Sequence, residues 1–178
     1  FKNKNNGTVY VESTKQANLE NRKEHGKMTA GFSMDIGDIN NDGISDIALG
    51  AGYSEISQRS GIFFGPFEGT YTSEDADVFI DMPYDPDGGS ISIIAKGRGD
   101  INNDGHDDIM FSIPNHNNFG EVKLITDISD QSTYDSENAI TIQGEQENTI
   151  FAQSLAFVGD ISGDGIDDFV IGAKEYGD

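Results

Sequence analysis

An acidic nine-residue motif occurs three times in this chain, at a period of about 60 residues. The copies read DINNDGISD over 38–46, DINNDGHDD over 100–108 and DISGDGIDD over 160–168. A fixed period constrains a fold strongly, because each unit must bury its apolar face against a neighbour of the same shape. Other segments keep the same beat. An apolar stretch follows each motif: DIALGA (46–51), DIMFSI (108–113) and DFVIGA (168–173). Gly-led stretches follow in the first two units, GIFFGPF from Gly61 and GEVKLIT from Gly120. A third, GTVYVES from Gly7, precedes the first motif. Alternating segments ADVFI (76–80) and AITIQ (139–143) lie before the later motifs, whereas ANLENRKEHGK near Ala17 is too polar to read as a strand. No helical period is sustained anywhere. Short strands at this spacing predict an all-β fold over 1–178, with β-propeller-like blades of four-stranded antiparallel sheet, about three blades' worth.

Each motif places oxygen donors at positions 1, 3, 5 and 9, and Gly at position 6. Alternate spacing turns every second side chain of a tight loop inward, and the Gly permits the sharp turn. Calcium takes 6–8 hard oxygen ligands at ~2.3–2.6 Å, which suits carboxylates joined by a backbone carbonyl. The expected ligands of the first loop are Asp38, Asn40, Asp42, Asp46 and the carbonyl of Ile44. Those of the second are Asp100, Asn102, Asp104, Asp108 and the carbonyl of His106. Those of the third are Asp160, Ser162, Asp164, Asp168 and the carbonyl of Ile166. An EF-hand would need a bidentate Glu at position 12, where this chain has Leu49, Phe111 and Ile171 inside apolar stretches. The acid at position 9 closes the shell instead, and the loop joins two strands of a hairpin. Solvated Asp-Asn-Gly turns are the bland alternative for one copy. Three copies of clustered carboxylates favour a cation that offsets their repulsion.

The second loop overlaps another signal, because Arg98-Gly99-Asp100 spells the tripeptide that integrin receptors grip. Asp100 holds position 1 of its loop, and its counterparts Asp38 and Asp160 are not preceded by Arg-Gly. The metal reading therefore takes precedence, and the tripeptide follows from Arg98 standing where the other units have Ile36 and Val158.

Net charge is −21, from 32 acidic and 11 basic residues, which repels nucleic acid and anionic membranes and attracts cations. The apolar content of 35% is low for a folded domain, but its grouping into short runs argues for a packed core. Without cysteine there is neither a disulfide framework nor a thiol nucleophile. No apolar run reaches the ~20 residues that span a bilayer, so direct membrane insertion is not expected. The chain opens on Phe1 rather than Met, which reads as a processed or excised start of something longer.

These residues resemble FG-GAP repeats, as found in the propeller of integrin α subunits and in bacterial surface proteins. The third unit, FAQSLAFVGDISGDGIDDFVIGA (151–173), carries the likeness furthest, with Ala152 in place of the second letter of "FG". The "GAP" end appears as GAG (50–52), SIP (112–114) and GAK (172–174), while Thr29 and Ile91 stand where the first two units should have Phe. The resemblance implies an extracellular or cell-surface propeller segment with structural calcium at three sites. Its family shares a scaffold rather than a chemistry. Family propellers have about seven blades, so an arc of about three leaves strand edges open. Either the chain is part of a longer propeller, or copies associate through their edges to close a ring.

Nothing in the sequence speaks for catalysis. His25, His106 and His116 are isolated, and there is no nucleophile elbow, phosphate loop or dinucleotide fingerprint. DPDGG (85–89) is a turn, and NGT at Asn6 is a glycan acceptor only in a eukaryotic secretory setting. Phe63, Phe64, Phe67 and Tyr71 read as packing between blades or as a sugar or peptide pocket. The leading expectation is a non-catalytic calcium-binding segment for extracellular adhesion or protein recognition. A carbohydrate-binding propeller and an accessory domain of a larger secreted enzyme are the alternatives.

Overall fold

The computed structural model describes residues 10–12, 33–50, 58–72, 74–82, 93–95, 99–114, 116–128 and 132–174. Among them lie thirteen strands. In chain order these are β1 (Tyr10–Glu12), β2 (Ser33–Gly37), β3 (Asp46–Gly50), β4 (Gln58–Phe63), β5 (Thr70–Thr72), β6 (Val78–Met82) and β7 (Ile93–Ala95). They continue as β8 (Ile109–Ile113), β9 (Glu121–Ile125), β10 (Thr133–Asp135), β11 (Ile140–Gln143), β12 (Phe151–Gly159) and β13 (Asp168–Ala173). Two single 3-10 turns, His116–Asn118 and Ser136–Asn138, are the helical pieces among the described residues.

Each motif loop joins an antiparallel hairpin, as its sequence predicts. The pairs are β2–β3, β7–β8 and β12–β13. In the first two units the meander continues. β4 pairs with β3 and β6 with β4, giving four antiparallel strands in the order β6-β4-β3-β2. The second unit repeats this as β11-β9-β8-β7. The third consists of the β12–β13 hairpin. Among the described residues the motif-bearing units are thus two four-stranded sheets and one hairpin.

Two pairings depart from the purely antiparallel expectation. β10 adds to the outer edge of the first sheet, parallel to β6 with Tyr134 opposite Ile80. β1 pairs parallel with β5, so the described part of GTVYVES meets the segment between β4 and β6 rather than forming a third strand of a blade. Both additions are three residues long. β10 thereby covers the outer edge of β6, whereas β1 and β5 form a separate two-stranded ribbon.

Side-chain alternation stacks the units face to face. In β8, Ile109, Phe111 and Ile113 point toward the first sheet and join Ile39, Ala48, Ile62, Val78 and Ile80 in one buried cluster. Met110, on the opposite face, joins Val122, Leu124 and Ala152, with Leu155, Phe157, Phe169 and Ile171 packed around them. β8 is covered on both faces, which is why all five of its residues are buried and four of them, Ser112 apart, are apolar. β3 behaves likewise. Ala48 faces the second unit, while Ile47 and Leu49 pack on the other side with Phe63 and Phe67. The aromatic run is thereby placed: Tyr71 meets the rings of Phe63 and Phe67 edge-on at 6.2 and 5.7 Å, and Phe64 packs on the inter-sheet cluster. These rings are core.

Deleting a ring from the inter-sheet layer leaves a cavity and removes apolar burial. Phe111→Ala is expected to lower unfolding free energy by about 3–5 kcal/mol, read from urea denaturation. Ile161→Ala, at a side chain 70% exposed, is expected to stay within about 0.5 kcal/mol of the parent.

Candidate functional site

The three loops share one geometry, and backbone conformation explains their sequence. Positions 4 and 6 both take left-handed φ: Asn41 and Gly43 at 55° and 80°, Asn103 and Gly105 at 58° and 91°, Gly163 and Gly165 at 80° and 89°. Asn and Gly tolerate that region best. The variable position 4 of the motif, Asn or Gly, is therefore under a backbone constraint as strict as the invariant Gly.

The carboxylates organise the loop from within. At position 1, Asp38 accepts from the N–H groups of Asp42 (2.9 Å) and Gly43 (2.9 Å), and Asp100 from those of Asp104 (3.0 Å) and Gly105 (2.8 Å). Asp160 accepts from Gly163, Asp164 and Gly165 at 2.6, 3.1 and 2.9 Å. The Asp160 carboxyl is accordingly held below the usual range, chiefly by the Gly165 N–H. At position 5, Asp42, Asp104 and Asp164 each accept from the residue two further on. Position 3 closes the ring: Asn40 and Asn102 accept from the position-5 N–H at 3.1 Å and donate to the position-5 carboxylate at 3.1 and 2.7 Å. Ser162 donates to Asp160 instead, at 3.4 Å.

Position 9 returns to the start of the loop. One oxygen of Asp46 accepts the N–H groups of Ile39 (2.8 Å) and Asn40 (3.3 Å). Asp108 takes the N–H of Ile101 at 2.6 Å, and Asp168 those of Ile161 and Ser162 at 2.9 and 2.8 Å. The second oxygens differ. That of Asp46 accepts from Gly65 N–H at 3.0 Å. That of Asp108 is buried with no partner. Burial raises the carboxyl of Asp46, against the pull of its three amides. Burial, with the charges of Asp104 and Asp100 added, pushes Asp108 up to about 7.

All fifteen expected ligands thus sit in three equivalent hairpin loops. The fit to a cation rests on two features: the orphaned Asp108 oxygen, and the carbonyls of Ile44, His106 and Ile166, which accept no hydrogen bond from a described residue. Among the described residues, however, no three Asp, Glu or His side chains converge closely enough to hold a metal ion, because their oxygens are turned to loop amides.

Residues 30–61, which hold the first loop and its flanking strands, match the family model of the FG-GAP repeat. The first unit of this chain is therefore similar to an FG-GAP repeat. Integrin alpha pat-2 of Caenorhabditis briggsae is 26% identical over 197 aligned residues, covering 96% of this chain and 15% of the relative. Integrin alpha-4 of Xenopus laevis is 26% identical over 184, covering 94% and 17%. Integrin alpha pat-2 of Caenorhabditis elegans is 26% identical over 176, covering 87% and 13%. The chain spans 13–17% of the length of these curated relatives. The FG-GAP match stops at Gly61, yet the second and third loops reproduce the bonding of the first almost atom for atom.

The structure also shows features that the sequence did not announce. His116 is no ordinary loop residue. It lies 3.8 Å from the buried Glu121, which pairs at 3.4 Å with the buried Lys123, and Lys123 donates to Thr141 at 2.9 Å. His25, Arg98, Asn6 and DPDGG fall outside the described residues. Gly99 is buried with its Cα against the ring of Phe157, and a Cβ there would overlap that ring.

Asp46 offers a direct test of the position-9 role, because three N–H groups share its carboxylate at a fully buried site. Asp46→Ala leaves those donors unpaired and is expected to cost about 3 kcal/mol or more in chelator-containing urea melts. Asp46→Asn keeps one carbonyl oxygen and should fall between parent and Ala. Asp164→Ala, which loses one exposed bond from Ile166, should cost under about 1 kcal/mol.

Proposed function

We propose that this chain is a non-catalytic, calcium-stabilised propeller segment for extracellular adhesion or protein recognition. The observation that carries the calcium reading is the buried, unpartnered oxygen of Asp108, in a loop that also holds Asp100 and Asp104. A buried carboxylate oxygen without a donor is strongly unfavourable, and a cation beside it would offset both that loss and the repulsion of its neighbours. The residues assigned to hold the ion are Asp100, Asn102, Asp104, Asp108 and the His106 carbonyl. Asp38, Asn40, Asp42, Ile44 and Asp46 form the equivalent set in the first loop. Asp160, Ser162, Asp164, Ile166 and Asp168 form it in the third. The ion would supply charge neutralisation and no chemistry of reaction.

Adhesion or recognition is inferred from similarity to integrin α chains, together with a scaffold whose aromatic rings are consumed in packing. A cell-surface or secreted setting follows from the same similarity. Among the described residues no helix is long and apolar enough to cross a membrane. The ligand class is taken to be protein, because Phe63 and Phe67 are buried and offer no sugar platform.

Calorimetric melting at matched ionic strength tests the calcium reading. Binding confined to the folded state adds about 2.7 kcal/mol per site at a hundredfold excess over Kd, so chelator should lower the midpoint by many degrees. An unchanged midpoint would mean that the loops are metal-free turns. The recognition reading is tested by surface capture of purified matrix proteins against a glycan array. Calcium-dependent protein capture supports it, and glycan capture lost in Tyr71→Ala would replace it with the sugar-binding alternative.

A further inference from the structure

Position 8 of the motif has no place in the ion shell, yet two of its three residues reach across to another unit. Asp107 Oδ2 accepts the N–H of Asp38 at 2.7 Å, and the Asp107 N–H donates back to the Asp38 carbonyl at 3.3 Å. Asp167 Oδ2 accepts the N–H of Asp100 at 3.2 Å. In both cases the second loop of the pair supplies the carboxylate and the preceding loop supplies its position-1 amide. The first unit has Ser45 at position 8, and among the described residues no unit precedes it.

These bonds lie where a small change has leverage. The position-1 amide plane sets the direction of the position-1 side chain, and that side chain gathers the amides of positions 5 and 6. Asp38, Asp100, Asp107 and Asp167 are all half-buried, so their bonds to N–H are screened less than at an open surface. The third loop supplies the contrast. The Asp160 N–H has no partner among the described residues, and the adjoining Ile161 is 70% exposed. The equivalent Ile39, beside the latched Asp38, is 5% exposed.

We propose that Asp107 and Asp167 are positioning residues that latch each loop to the one before it. Order in one loop thereby fixes the first ligand of its neighbour, and ion occupancy of adjacent loops is coupled. The coupling clause rests on the calcium reading, whereas the latch itself does not.

Amide hydrogen exchange by NMR on the whole chain in chelator tests the latch without any ion. The Asp38 and Asp100 amides are expected to exchange at least about tenfold more slowly than that of Asp160. Asp107→Ala should release Asp38 and leave Asp100 protected, and Asp167→Ala should do the reverse. Asp107→Asn, whose amide oxygen still accepts, should restore protection at Asp38. Unchanged protection of Asp38 in Asp107→Ala would overturn the proposal. So would an equal loss at all three loops, which would assign Asp107 to global stability. Calcium titration followed at the amides of Gly43 and Gly165 then tests coupling. Asp107→Ala should weaken the first loop several-fold and leave the third unchanged, and equal affinity at the first loop would overturn the coupling. If calcium shifts neither amide, the calcium reading and the coupling fail together, and exchange alone decides the latch.

Discussion

The return of the position-9 carboxylate to the opening amides of its own loop is the interaction on which the rest of this structure depends. It ties the start of the second strand of each hairpin to the residues that follow the first, so the hairpin is closed by contacts within the loop itself. Asp46 is the first residue of β3 and Asp168 the first of β13, while Asp108 immediately precedes β8. A hydrogen bond to an ionised acceptor contributes about 1.5–3 kcal/mol, more than a neutral one. That is enough to hold the two residues at positions 4 and 6 in the left-handed conformation they take. Strand register follows from this closure, with Gly37 opposite Asp46 and Gly159 opposite Asp168.

Register in turn decides which face each apolar residue takes. A slip of one residue in β8 would exchange Phe111 for Met110 and send each into the wrong interface. Both faces are buried and mostly apolar, with Ser112 beside Met110, so hydrophobicity alone discriminates weakly against the slip. The polar closure at the loop supplies the specificity that a two-sided core lacks. The arrangement places a carboxylate at the mouth of each inter-sheet layer. Asp46 meets this with three amides, and Asp108 with one amide on one oxygen and none on the other. Equivalent positions in successive units are therefore not energetically equivalent, and the second loop is where a cation would change most.

Much of this was legible because the signals were local. The nine-residue spacing defined the hairpin loops, and DFVIGA and AITIQ fall on β13 and β11 to within one residue. What escaped was nonlocal or lacked a pattern. Asp107 and Asp38 lie 69 positions apart, and nothing at position 8 distinguishes an acid facing water from one facing a neighbouring amide. TYT and TYD are too short and too polar to show alternation, so the parallel strands β5 and β10 gave no signal. The pattern of GIFFGPF predicts a strand from Gly61, whereas β4 starts at Gln58 and the chain leaves it at Phe63. Glu121 and Lys123 are buried in β9, where each neutralises the other and Lys123 also donates to Thr141, a pairing across strands that no local pattern announces.

The Arg-Gly-Asp tripeptide shows how context outranks a short motif. A receptor-bound aspartate must extend its carboxylate from a free loop tip. Both oxygens of Asp100 instead accept amides of its own loop, and its N–H is held by Asp167 of the next unit. Gly99 cannot move outward without breaking its contact with Phe157, which also anchors the interface between the second and third units. Offering this aspartate to a partner would require undoing the turn, the cross-unit bond and part of the inter-sheet packing together. Each of those losses is of the order of 1 kcal/mol or more, and none is returned by exposing one carboxylate to water. Gly99 and Asp100 are therefore spent on the scaffold. Any recognition surface of this segment must lie on residues that the loop closure does not consume.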